Sequence, residues 1–157
     1  MRNQKTPVQS LSALDIHLGY WLRLVSNRVS SNFGRALQER SVSVAEWVAL
    51  NQIQRCADVT PATLAEAMGM TRGAISKILD KLQEKKWISR ITSEEDKRSW
   101  FLSLTPQGRC VLPELTAIAD ENDEHFFGIL DPGEQTALRG LLSKLAKLHR
   151  ISTVPVD

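Results

Sequence analysis

The sequence is organised around residues 71–82, which have the pattern of an amphipathic α-helix. The apolar residues recur at i, i+3, i+4 and i+7 and therefore share one helical face: Ile75, Ile78, Leu79 and Leu82. The other face is small or cationic: Arg72, Gly73, Ser76, Lys77 and Lys81. Such a helix packs its apolar face on a core and presents its polar N-terminal half to a phosphate-walled groove.

A second, shorter helix is predicted just upstream, over residues 61–68. Thr60 is a suitable N-cap, and Pro61 suits the first helical position because it has no amide proton to satisfy. Gly69 supplies a left-handed residue for the turn, and Thr71 caps the helix that follows. Residues 60–83 are therefore predicted to form a helix-turn-helix, which favours a DNA-binding regulator.

The periodicity changes after residue 86, where two β-prone segments enclose a polar loop. Residues 87–92 form the first segment, and in the second Trp100, Leu102 and Leu104 alternate with other residues. The polar loop between them covers residues 93–98. A hairpin with a charged tip directly after a recognition helix indicates a wing over residues 87–104.

Apolar helical periodicity also flanks this central part. One helix is predicted from about 12 to 39, and a capping box at 43–46 begins another that ends near 55. Thr105 and Asp131 are N-cap signals for two further helices, and the last ends near 151. The first helix would be about 40 Å long, so it either leans on a second subunit or is an ordinary core helix.

The predicted fold is therefore mainly α with a small β-hairpin wing, a winged helix-turn-helix flanked by long dimerisation helices. A flexible N-terminal arm is expected at residues 1–10. The helical dimerisation lobe comprises residues 11–40 and 105–151, and the DNA-binding lobe comprises residues 41–104.

Charge and cysteine content limit the choice of function. The formal net charge of the whole chain is +2, whereas residues 71–98 carry eight cations and five anions and are thus +3. Cys56 and Cys110 lie far apart without metal-ligand spacing, which argues against a disulfide scaffold or a zinc site. We expect Cys110 to be buried on an apolar helix. No cofactor is expected.

Other classes of protein are disfavoured by what the sequence lacks. It has no glycine-rich phosphate loop, no HExxH and no GxSxG, and His17, His125 and His149 form no helical metal pair, so an enzyme is not expected. No apolar run has the length of a membrane span and the polar N-terminus has no signal-peptide core, so a cytoplasmic protein is expected.

The order of elements resembles the MarR family of bacterial transcriptional regulators, from about residue 11 to 150. The likeness is carried by residues 64–65, 73–76, 79–82, 88–90, 96–99 and 104–108. The wing pattern Asp-x-Arg, followed by Leu-Thr-x-x-Gly, is its most specific part. One departure is Lys86, where the family commonly has glycine. Lys86 is then either left-handed, at a cost of about 1 kcal/mol, or the helix ends differently.

The helix-turn-helix pattern and the resemblance together predict a set of DNA-binding residues. Arg72 suits guanine O6 and N7, and the wing-tip Arg98, oriented by Asp96, is implied by the family to enter the minor groove. Arg90 is open to either a structural salt bridge or a phosphate contact. The full set is Thr71, Arg72, Gly73, Ala74, Ser76, Lys77, Lys81, Arg90, Asp96, Lys97 and Arg98. The alternative is a merely solvated, charged helix face.

The flanking helices predict a homodimer, and its two-fold symmetry predicts a pseudo-palindromic operator. The resemblance implies a small, often aromatic and anionic effector bound between the lobes. The implied mode is repression with release by that effector. Candidate ligand residues are His17, Tyr20, Trp21, Trp47 and Arg109, although each aromatic also suits core packing. The alternatives are a cysteine-based redox sensor and a winged-helix module that binds protein.

Overall fold

The computed structural model describes residues 13–92 and 100–156 and confirms the predicted fold class. A 3-10 turn, Leu14–Ile16, precedes the first α-helix. The elements that follow are α1 (Leu18–Gln38), α2 (Val44–Arg55), α3 (Pro61–Met68), α4 (Arg72–Glu84), β1 (Ile88–Thr92), β2 (Trp100–Leu104), α5 (Pro106–Phe127) and α6 (Pro132–Leu148).

The N-terminal helix starts later than the sequence predicts. His17 is extended, with φ −85° and ψ 122°, and provides no side-chain cap. The preceding turn is held by the Trp21 indole, whose Nε1–H donates to the Asp15 carbonyl oxygen over 2.8 Å. The prediction of one helix from residue 12 was therefore wrong over residues 13–17, because a local turn satisfies the backbone there.

Most predicted helix starts are confirmed by their hydrogen bonds. Thr60 and Thr63 form a reciprocal capping box at α3, and Asp131 and Glu134 form one at α6. At α2 only half of the predicted box exists, since Ser43 accepts from the Glu46 amide but the Glu46 carboxylate does not return to the N-cap. That carboxylate pairs instead with Lys85, the residue that follows α4.

The core lies in the central lobe, between α2, α3, α4, the hairpin and the first half of α5. Leu50, Leu64 and Leu82 are fully enclosed there, and full burial of each such side chain is worth about 1.5–3 kcal/mol. In contrast, Leu37 is the one buried residue of α1, and α6 has none. The core is thus formed mainly by residues of the central lobe, and the outer helices contribute few residues to it.

Two asparagines join α1 to α5. The Asn32 amide donates to the Asn122 side-chain oxygen over 2.8 Å, and the Asn122 amide donates to the Val29 carbonyl oxygen over 3.3 Å. Asn122 is only 6% exposed, so these bonds satisfy a buried polar group. They fix the side-by-side register of the two long helices.

Helix α4 is followed by a left-handed lysine. Lys86 has φ +60°. The Trp87 amide donates to the Leu82 carbonyl and the Lys86 amide to the Gln83 carbonyl, which is the Schellman pattern. Of the two alternatives left open by the sequence, the strained one is therefore observed. The exit into the wing keeps the geometry that glycine normally provides.

This strain generates a test. We expect Lys86→Gly to raise the free energy of unfolding by about 1 kcal/mol, because glycine adopts positive φ without a Cβ clash. Lys77→Gly, at an exposed position in the middle of the helix, is expected to lower it by about 0.5–1 kcal/mol. Urea unfolding of both variants measures the difference, and destabilisation by Lys86→Gly would contradict the assignment of strain.

Candidate nucleic-acid interface

The N-terminal half of α4 carries the predicted contact residues on an open surface. Thr71 caps the helix by accepting from the Ala74 amide over 3.2 Å. Ala74 is half-buried, while the other predicted residues of this helix are exposed: Thr71, Arg72, Gly73, Ser76, Lys77 and Lys81. A Cβ added at Gly73 would meet nothing within 4 Å, so the backbone there is open to close approach.

The opposite face of α4 is anchored in the core as predicted. Ile75, Ile78, Leu79 and Leu82 are all buried. Because one face is fixed in this way, the direction of the exposed face follows from helical geometry. The helix N-terminus, which carries partial positive charge, points away from the core together with Arg72.

The wing lies beside this helix. In the hairpin Ile88 pairs with Leu104 and Thr92 with Trp100. The Leu102 amide also donates to the Val59 carbonyl oxygen over 2.7 Å, which ties the second strand to the residue just before the helix-turn-helix. A groove of about 460 Å³ therefore separates α3 and α4 from the wing, lined by Thr60, Pro61, Ala62, Arg72, Ser76, Trp100 and Phe101.

Arg90 is placed by an aromatic ring. Its guanidinium carbon lies 4.3 Å from the centroid of the Trp100 ring, on the neighbouring strand. This cation–π contact, typically worth about 0.5–1 kcal/mol when exposed, holds the charge on the wing surface. The wing-tip residues Asp96, Lys97 and Arg98 lie outside the described residues, so their predicted roles stay predictions.

The base of the wing requires a glycine for close approach. The Thr105 amide donates to the Trp87 carbonyl oxygen over 2.9 Å, and the Thr105 hydroxyl donates to the Lys86 carbonyl over 2.7 Å. A Cβ at Gly108 would lie 2.0 Å from the Trp87 carbonyl oxygen. Gly108 is therefore needed for α5 to pass the strand end, which is the physical reason for the glycine in this motif.

A buried ion pair fixes the C-terminal end of α4. Glu46 of α2 is 3% exposed, and the Lys85 Nζ lies 2.5 Å from its carboxylate. Lys85 also donates to the Ser41 carbonyl oxygen over 2.6 Å and lies 5.0 Å from the Trp87 ring centroid. This role of Glu46 was not predicted from the sequence, although an acidic residue inside an apolar helix face was a signal for it.

Lys81 lies near the same carboxylate but is more weakly engaged. Its Nζ is 3.9 Å from the Glu46 carboxylate, and its side chain is 64% exposed. Lys85, in comparison, is 25% exposed. Lys81 is thus available to an external phosphate, whereas Lys85 is held inside the protein.

Three of the five candidate ligand residues, Tyr20, Trp21 and Trp47, pack against aromatic neighbours. The rings of Tyr20 and Trp21 pack edge to face, 5.4 Å apart, near the start of α1. Trp47 packs on Phe33, 5.0 Å away, near the other end of that helix. At 1.5 Å per residue, Tyr20 and Phe33 are separated by about 20 Å along the helix axis. That these residues line one crevice stays a prediction.

The other two candidates differ in how they are engaged. The Arg109 Nη1 donates to the Leu104 carbonyl oxygen over 2.8 Å, so its guanidinium fastens the end of the wing. His17 lies at the exposed start of α1. The buried indole Nε1 of Trp47 has no hydrogen-bond acceptor among the residues that the structure describes.

Both cysteines are exposed and free. For Cys110 the prediction of burial was wrong. Leu112 and Leu115 define the buried face of this part of α5, and Cys110 lies two residues before Leu112, about 200° around the helix.

In residues 13–92 and 100–156, no group of three or more His, Cys, Asp or Glu side chains is arranged to hold a metal ion. None of the helices in these ranges combines the length and hydrophobicity needed to cross a membrane.

The comparisons with known proteins agree with this geometry. The sequence profile of the MarR family matches residues 41–99. A Bacillus cereus protein described as an uncharacterised HTH-type transcriptional regulator is 32% identical over 146 residues, which cover 87% of this chain and 93% of the relative. The chain belongs to the MarR family.

Solved MarR-type structures share the fold. A probable transcriptional regulator from Pseudomonas aeruginosa has a TM-score of 0.70 at 28% identity, covering 85% of this chain and 99% of its own. A cysteine-to-serine mutant of Escherichia coli MarR in complex with operator DNA has a TM-score of 0.67 at 25% identity. The match covers 82% of this chain and 92% of the mutant's chain. This MarR-family chain is therefore a DNA-binding transcriptional regulator of a non-enzymatic family.

The two lysines at the end of α4 provide a matched test. We expect Lys85→Met to lower the free energy of unfolding by about 2 kcal/mol or more, because it leaves the Glu46 carboxylate buried without its close partner. Lys81→Met removes only an exposed, distant charge and is expected to change it by less than about 1 kcal/mol.

Urea unfolding of the two variants measures this difference. Equal effects of Lys85→Met and Lys81→Met would show that the buried carboxylate does not depend on Lys85.

Proposed function

We propose that the protein is a cytoplasmic homodimeric repressor that binds a pseudo-palindromic operator and is released from it by a small aromatic anion. The observation that carries this proposal is the exposed, cationic N-terminal half of α4 beside the wing. Duplex DNA matches both, since an α-helix fits the major groove and an arginine fits a narrow minor groove. Repression follows the commoner mode of the family that the chain resembles.

The roles within the interface are divided by position along α4. Arg72, in the first turn, is proposed to read a guanine edge, while Ser76 and Lys77 contact the edge or backbone one turn later. Lys81 and Arg90 are proposed to contact phosphates, which position the protein without reading sequence. In the wing, Arg98 is proposed to enter the minor groove, with Asp96 orienting it and Lys97 on a phosphate.

The operator itself is obtained by genome-wide capture of bound DNA fragments. Two-fold symmetry of the protein predicts a consensus of two inverted half-sites, with centres about one helical turn or 34–36 Å apart. A consensus without inverted symmetry would contradict the proposed dimer on DNA.

Arg72 and Lys81 test the division of roles. With the captured operator, we expect Arg72→Ala to lower specific affinity by about 1–3 kcal/mol and to relax base preference at one position in each half-site. Lys81→Ala is expected to weaken binding to all sequences alike and to reduce the salt dependence of the affinity by about one charge. Titration of sequence variants at several salt concentrations measures both effects. A uniform loss for Arg72→Ala would show that it only clamps phosphate.

Exposed apolar side chains support the homodimer. On α6 they form a continuous helical stripe: Leu138, Leu141, Leu142, Leu145 and Leu148. Others lie on and before the first half of α1: Leu14, Ile16, Leu18, Trp21, Leu22, Leu24 and Val25. An open groove of about 590 Å³ runs between α5 and α6. Exposed apolar area of this extent is typical of a surface covered by another subunit.

A charge placed in the α6 stripe tests the dimer. We expect Leu145→Glu to convert the protein to monomer and to weaken operator binding at least tenfold, because each buried carboxylate would lose its hydration at the interface. Thr136→Glu adds the same charge at an exposed polar position of α6 and is expected to leave the dimer intact. Analytical ultracentrifugation distinguishes the two. A Leu145→Glu variant that remains a dimer would place the interface elsewhere.

The effector is proposed to engage Trp47. A buried indole N–H without an acceptor costs about 1–3 kcal/mol, and a ligand oxygen would remove that cost. The lobe boundary where Trp47 packs on Phe33 is also where a bound molecule would alter the angle between α1 and the DNA-binding lobe. His17, Tyr20, Trp21 and Arg109 remain proposed ligand contacts on the basis of the family resemblance alone.

A further inference from the structure

The chain does not end at α6 but turns back onto the helix-turn-helix. Arg150 is left-handed, with φ +54°, and the Ile151 amide donates to the Ala146 carbonyl oxygen over 2.9 Å. Residues 151–156 then run along α3, where the Val154 amide donates to the Ala67 carbonyl oxygen over 3.1 Å. This bond satisfies a carbonyl at the C-terminal end of α3 that has no partner within the helix.

Side chains of this segment pack on the core of the DNA-binding lobe. Val154 and Val156 are half-buried against it, whereas Ser152 and Pro155 of the same segment are exposed. Thr153 lies at the turn of the helix-turn-helix, since a Cβ added to Gly69 would be 2.6 Å from the Thr153 Cγ2. The segment thus contacts both α3 and the turn that leads into α4.

The contact of residues 151–156 with α3 bears on how α6 is attached to the DNA-binding lobe. No residue of α6 is buried, and its apolar stripe is exposed. The described part of the chain connects α6 to the DNA-binding lobe through α5 at one end, where the Gln135 side-chain amide donates to the Phe127 and Leu130 carbonyl oxygens, and through residues 151–156 at the other. A segment fastened at both ends in this way restricts the angle between the helix and the lobe.

We propose that residues 151–156 are a strap that holds the helix-turn-helix at a fixed position relative to α6, with Val154 as the principal positioning residue. The inference rests on the proposed function, because α6 is there assigned to the dimer interface. The strap then sets the span between the two recognition helices of the dimer. It contacts no DNA itself.

This role has a specific consequence for affinity. A half-site is read by one α4 and one wing, which the strap leaves unchanged. Binding both half-sites at once requires the correct span, and the gain from bivalent binding is lost when geometry forbids it. Loss of the strap is therefore expected to weaken binding to the full operator selectively.

The experiment compares Val154→Asp with Ser152→Asp, which adds the same charge at an exposed position of the strap. A chain truncated after Arg150 serves as a second variant. Each is measured for oligomeric state by ultracentrifugation, and for affinity to the full operator and to a duplex with one half-site. We expect Val154→Asp and the truncation to remain dimers and to lose about tenfold on the full operator only. Ser152→Asp is expected to match the unaltered protein.

Other outcomes overturn the strap. Equal losses on the half-site and the full operator would indicate a merely structural role, and no loss would indicate no role. If the unaltered protein is a monomer or fails to bind duplex DNA, the proposed function is overturned, and the proposed role of the strap is overturned with it. The two failures are distinguished by the measurements on the unaltered protein.

A double-mutant cycle tests the docking independently of DNA. Gly69→Ala is expected to lower Tm both through its positive φ and through the clash with the Thr153 methyl group. Thr153→Ser removes that methyl, so Gly69→Ala is expected to cost a smaller Tm shift in the Thr153→Ser background. Equal shifts in both backgrounds would show that the strap is not docked at the turn, and would overturn the proposal.

Discussion

The structure depends first on the burial of one face of α4. Ile75 and Leu82 are completely enclosed, and Ile78 and Leu79 nearly so. Because side chains three and four residues apart share a face, anchoring these four leaves Arg72, Ser76 and Lys77 on the outside. The proposed DNA-binding surface is therefore a consequence of core packing.

Both ends of α4 are also fixed by polar contacts. Thr71 caps the N-terminus and leaves the remaining first-turn amides directed outward. At the C-terminus Lys85 reaches the buried Glu46 of α2, and the left-handed Lys86 turns the chain into the wing. These contacts determine how α4 is oriented relative to α2, and through Gly108 and Trp87 they also determine where α5 leaves the lobe.

The outer helices differ from the central lobe in how their apolar residues are covered. Their apolar residues find little to cover them within one chain, whereas the central lobe is packed by its own residues. The outer helices are joined to the central lobe by the buried Leu37 of α1, by Leu112 and Leu115 of α5, and by the return of residues 151–156 to α3.

Local signals allowed much of this to be predicted from sequence. The caps Thr60, Thr71, Thr105 and Asp131 and the turn at Gly69 act within four residues of themselves, so the helix starts and the turn were predicted correctly. The exposed face of α4 was predictable for the same reason, because helical periodicity is a local property. The late start of α1 was not, since it depends on an indole donating back to the Asp15 carbonyl.

Contacts between residues distant in sequence were decided only by the tertiary structure. Glu46 suggested a capping box, but its carboxylate pairs with Lys85, 39 residues away. Gly108 was recognised as part of a motif, and only the approach of α5 to the Trp87 carbonyl explains it. Sequence by itself determined most of the elements and the chemistry of the exposed face of α4. Three-dimensional packing decided which charges stay exposed, as on Lys81, and which are paired inside the protein, as on Lys85, because the exposure of a charge depends on neighbours that no local pattern specifies.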